Sequence, residues 1–135
     1  MTTIASPAVS SRGRTIAYWV TTAVIVFVLG PGGVVELMRP EAAVKGMAEL
    51  GYPSYVLLIL GVWKVLGAVA LLLPRTPRLK EWAYAGAVFD FTGAAASHFA
   101  VGDPAGKIVF PIVFTAIAFA SWALRPPSRR DLSSG

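Results

Sequence analysis

Of 135 residues only 14% are charged while 56% are hydrophobic, and there is no cysteine and one histidine. A soluble domain carries about 25% charged residues, so this composition excludes an ordinary soluble domain, a disordered chain, a collagen and a polar coiled coil. The lack of cysteine excludes disulfide frameworks, iron–sulfur clusters and Cys-based zinc sites, and a single histidine excludes a bis-His haem or a His-rich metal site within one chain. The net charge of +5 would suggest nucleic acid in a soluble protein. Here the basic residues stand between long apolar runs, which points to a lipid bilayer as partner, not to nucleic acid.

Residues 1–14 are rich in Ser, Pro and Arg and read as a mobile cytoplasmic tail. A hydrocarbon core of about 30 Å needs about 20 residues of helix, and four runs supply that length: 15–38, 53–73, 81–101 and 106–124. The first is interrupted by Gly30-Pro31-Gly32-Gly33, which predicts a kink or a loosened turn. No small-x-small cleavage site follows it, so it reads as a span and not as a removed signal. Between the first two runs, Pro40 and Gly51 bracket a segment in which Val44, Met47 and Leu50 share one helical face. Glu41, Lys45 and Glu49 share another, which predicts a short amphipathic helix in the first outer loop. The third run is the least apolar because it carries Asp90 and His98. Residues 125–135 form a basic cytoplasmic tail.

Orientation follows from the flanking Lys and Arg. Arg12, Arg14, Arg75, Arg78, Lys80, Arg125, Arg129 and Arg130 fall on one side, and Arg39, Lys45 and Lys107 on the other. That imbalance predicts both termini in the cytoplasm. Tyr18, Trp19, Trp82, Tyr84 and Trp122 cluster near the same boundary, as an interfacial aromatic belt does. The expected fold is all-α, a four-helix transmembrane bundle spanning 15–124.

A charge inside hydrocarbon is costly, which makes each such residue a functional candidate. Glu36, Lys64, Asp90 and His98 qualify. Counted from the basic ends of their runs at about 1.5 Å per residue, Lys64 and Asp90 lie near the midplane, on neighbouring antiparallel helices, and are expected to form a buried ion pair. Gly86, Gly93 and Ser97 share the face of Asp90, and Gly61, Gly67 and Ala68 flank Lys64. The pair either fixes helix register or lines a polar pocket, and the residues leave both readings open. By the same count Glu36 and His98 lie near the outer surface. There Glu36 is expected to meet solvent, and His98 to be a boundary residue or to donate to Glu36 or Ser97.

Gly51-Tyr52-Pro53, Gly61-Val62-Trp63-Lys64, Pro74-Arg75, the run from Pro77 to Gly86, Asp90 with Thr92-Gly93-Ala94, and Ser97-His98 form a pattern. Together with Gly33-Val34-Val35-Glu36-Leu37, this pattern resembles the DoxX-like family of small four-helix bacterial membrane proteins. The resemblance implies residence in the bacterial cytoplasmic membrane and a link to membrane oxidoreductase complexes, including quinone-reducing ones. The broader family commonly has Lys in the first-helix motif and Glu in the second. This chain has Glu36 and Lys64, so the signs are exchanged, as if the two positions sense one another within one polar cluster.

No covalent cofactor or metal is expected, and a quinone or lipid bound between helices fits the composition. The first functional reading is a binding or accessory subunit, for a lipophilic molecule or a membrane redox partner. Glu36, Trp63, Lys64, Asp90, Ser97 and His98 are the candidate site residues, and the site is expected to open toward the outer half. A membrane enzyme using Asp90, Lys64 and His98 for acid–base chemistry is a second reading. A proton-linked transporter, which would require a homo-oligomer, is a third.

Overall fold

The computed structural model describes residues 8–130. It is all-helical: α1 spans Ala8–Met38, α2 Glu41–Glu49, α3 Val56–Leu72, α4 Pro77–Ala100, α5 Ala105–Ala123 and α6 Pro127–Arg130. Proline stands at four of the starts, with Pro127 opening α6. Pro40 and Pro104 stand immediately before α2 and α5, and Pro77 opens α4, where its missing N–H breaks no helical hydrogen bond. Gly51 (φ +87°) and Gly102 (φ +76°) reverse the chain after α2 and α4 in the left-handed region that glycine enters without strain.

Two sequence expectations change here. The first helix keeps its helical hydrogen bonding through Gly30-Pro31-Gly32-Gly33, so no turn loosens there, because Pro31 removes a single backbone donor and the flanking turns carry the helix across. The same helix begins at Ala8, ahead of the expected start at 15, and α6 with Arg125 folds back onto the body. Residues 8–14 and 125–130 are thus structured, whereas the outermost parts of both expected tails lie outside the described residues.

The longest helices pack pairwise. α1 lies along α3, α4 lies along α5, and the two pairs meet through α1–α5 and a thinner α3–α4 contact. Ile25, Leu29, Ala68, Leu71, Tyr84, Ala87, Phe91 and Ala118 fill the centre. The outside is as apolar as the inside: Phe27, Trp82, Phe89 and Phe99 are each more than 70% exposed. So large an apolar surface requires a non-aqueous neighbour. α1 and α5 are long and apolar enough to cross a membrane; α3 is apolar but shorter.

At the end where the described chain starts and finishes, basic side chains close the helices. The Lys80 ammonium, fully buried, donates to the Ala70 carbonyl at 2.9 Å, to the Leu73 carbonyl and to Thr76 Oγ1 at 2.7 Å. Arg129 donates to the Leu71 carbonyl at 3.0 Å and lies over the Trp19 ring, while Arg14 donates to the Ala123 carbonyl at 2.8 Å. The last carbonyls of α3 have no helical partner of their own, so Lys80 and Arg129 supply what water would supply elsewhere. Lys80→Met should therefore lower the thermal unfolding midpoint in detergent. The expected loss is about 1.5–3 kcal/mol for each charge-assisted hydrogen bond left unmade, and Lys80→Arg should recover part of it.

Candidate functional site

The site begins with two glycines. A Cβ on Gly33 of α1 would stand 2.9 Å from the Gly61 carbonyl oxygen of α3, and one on Gly61 would stand 2.8 Å from the Gly33 carbonyl oxygen. The two backbones touch, as small residues permit at membrane helix crossings. Glu36 follows Gly33 by three residues and Lys64 follows Gly61 by three, which puts each on the contact face. The helices are antiparallel, and side chains lean toward the N-terminus of their own helix. Glu36 and Lys64 therefore lean toward each other. Lys64 Nζ donates to Glu36 Oε1 at 2.6 Å and stands 3.7 Å from Asp90 Oδ2 of α4.

This corrects the placement of Glu36 near the outer surface. Counting inward from the basic flanks treats the helix ends as level. In the structure Gly30 faces Ala68 and Gly33 faces Gly61, so α3 ends opposite the middle of α1, and α1 continues well past it. Glu36 is therefore level with Lys64, and all three charged side chains are less than one-fifth exposed.

His98 is not part of that cluster. Its Nδ1 is paired at 2.7 Å with Oδ2 of Asp103, in the turn after α4, and neither Glu36 nor Ser97 is its partner. Ser97 Oγ instead shares a 2.7 Å hydrogen bond with the Tyr52 hydroxyl, from the turn after α2. These two pairs form a rim at the end of the bundle away from the chain ends, called the outer end.

Two cavities meet at the charged cluster. The outer one, about 450 Å³, is lined by Glu36, Gly93, Ala94, Ser97 and His98 and roofed by Met47 and Leu50 at the end of α2. The inner one, about 470 Å³, is an almost wholly apolar cleft in the α3–α4 seam walled by Trp63, Gly67, Trp82 and Gly86. Leu60, Lys64, Phe89 and Asp90 line both. Trp63 thus belongs to the inner cleft and stands apart from the outer-half site residues. Among the described residues no three of His, Cys, Asp and Glu are grouped to hold a metal ion.

The model of the DoxX-like family matches residues 20–121, which takes in both glycines and every residue of the cluster and the rim. The chain belongs to the DoxX-like family. No curated protein and no solved structure matches it.

In this DoxX-like protein the small residues divide into two kinds. Gly33 and Gly61 allow contact, whereas Gly86 and Gly93 of α4 have nothing within 4 Å of where a Cβ would stand. On α4, then, glycine leaves room beside Asp90. A second buried polar group escaped sequence reasoning: Thr22 Oγ1 and the Tyr84 hydroxyl each lie 2.7 Å from Ser121 Oγ, joining α1, α4 and α5. Neutral hydroxyls do not stand out from an apolar run as charges do. Their one signal was that each is a hydrogen-bonding residue within a span, where lipid supplies no partner.

Proposed function

We propose that this DoxX-like protein is a multi-pass protein of the bacterial inner membrane that holds a lipophilic small molecule and serves as a binding or accessory subunit of a membrane redox complex. In this reading α1, α3, α4 and α5 cross as a four-helix bundle, both termini are cytoplasmic, and α2 lies on the outer surface. The observation that carries it is the meeting of two cavities at Lys64 and Asp90, with Glu36 lining the outer one. Each cavity is within the size range of small-molecule sites, and each pairs apolar walls with a few convergent polar groups. A quinone or a lipid is the class of occupant that fits such walls. The eight basic residues gathered at one end support the orientation.

Native mass spectrometry of protein extracted directly from membranes should show a bound lipophilic species. Ala94→Trp, which fills the outer cavity, should remove it or exchange it for a smaller one. An empty protein in both cases would refute the binding reading. Topology is tested separately by thiol labelling in intact cells: a cysteine replacing Lys45 should react with an impermeant reagent, and one replacing Ser11 should react only after lysis.

A further inference from the structure

The cluster sets two carboxylates against one ammonium. Lys64 is committed to Glu36 Oε1 and is only in loose contact with Asp90. Glu36 Oε2 is buried without a hydrogen-bond partner. Among the described residues no group donates a hydrogen bond to Asp90, whose nearest cation is the Lys64 ammonium at 3.7 Å. The neighbouring polar groups offer no relief, since Ser97 is engaged with Tyr52 and His98 with Asp103. A carboxylate at this depth without donors is strongly disfavoured, and it is relieved either by a proton or by a donor carrying positive charge.

The walls agree. Asp90 opens into both cavities, and Phe89 lines both with it; Trp63 and Trp82 stand in the inner cleft, and Phe91 and Phe114 in the outer one. Aromatic faces attract cations, and the inner cleft is apolar enough for a hydrocarbon chain.

We propose that the site selects an amphiphile with a protonated amine head, held at Asp90, the carboxylate that opens into both cavities, and a hydrocarbon tail lying in the α3–α4 cleft. This rests on the binding reading above and names its ligand class. An anionic head would meet two carboxylates, and a neutral head would leave the excess charge to be met by a proton alone.

The test uses three probes of equal chain length, dodecylamine, dodecanol and dodecanoate, titrated against the full chain in neutral-lipid nanodiscs. The readouts are the unfolding midpoint and one-to-one adducts in native mass spectra. Dodecylamine alone should raise the midpoint and give a saturable adduct. Asp90→Asn should weaken it roughly tenfold or more, the scale of one lost charge-assisted hydrogen bond. Equal response to all three probes, preference for dodecanol or dodecanoate, or an amine effect unchanged in that variant would overturn the proposal. A co-purified ligand that is neutral or anionic would overturn the amine head and leave the binding reading standing; no ligand and no probe binding would end both. Should the variant fail to fold, the three-probe comparison on the unaltered protein still decides.

Discussion

Lys64→Glu should be among the most damaging single changes in the protein, and Glu36→Lys in the same molecule should restore most of what it costs. With Lys64→Glu alone, three carboxylates face one another in a site less than one-fifth exposed. Breaking a buried pair by removing one partner costs about 3–5 kcal/mol, and adding a like charge costs more. The double exchange rebuilds the α1–α3 pair with its signs reversed. Recovery should be incomplete, because Asp90 would then confront a carboxylate at position 64, and adding Asp90→Asn should complete it. Thermal unfolding in detergent across the single, double and triple variants checks this. Additive losses in the double variant would show that positions 36 and 64 do not interact.

Gly61→Leu should be comparably severe through geometry alone. A Cβ at Gly61 already falls 2.8 Å from both the Gly33 carbonyl oxygen and a side-chain carbon of Leu37, so any larger side chain must push α1 and α3 apart. Overpacking of this kind costs about 1–3 kcal/mol, and here it also draws Glu36 away from Lys64. Gly61→Ala should produce a smaller version of the same loss, while Gly86→Ala on α4, where nothing lies nearby, should leave the unfolding midpoint unchanged. Equal effects at positions 61 and 86 would contradict the distinction between contact glycines and cavity glycines.

Much of this architecture could be read from the chain. Pro40 and Gly51 marked α2, and the apolar runs located α1, α3, α4 and α5 because helix length and hydrocarbon thickness constrain each other, although α4 starts at Pro77 and not at 81. What failed was relative depth. Basic flanks report which side a helix end lies on, and nothing about whether two ends are level. The register of α1 against α3 is set by Gly33 on Gly61, a contact that depends on two hydrogen atoms in place of side chains and leaves no periodic trace. Lys64 was legible as a buried charge, whereas Glu36 was expected to meet solvent, and only the exchanged signs of the two motifs pointed to their pairing. His98 was legible as a candidate; its partner Asp103 lay in a turn, outside the runs where partners were sought.

The uneven packing of the four long helices has a mechanical meaning. Residues 8–72 make one leaf, with α1 locked to α3, and residues 77–123 make the other, with α4 against α5. They are joined by the short strap after α3, in which Arg75 adopts a positive φ of 58°. Glu36–Lys64 lies wholly within the first leaf, whereas Lys64–Asp90 crosses from one leaf to the other. If the leaves part at the α3–α4 edge, the first ion pair travels intact and the second is the one that opens. The 3.7 Å contact between Lys64 and Asp90 is then the latch of the cleft, and a spectroscopic distance between α3 and α4 would follow its state while one between α1 and α3 stayed still.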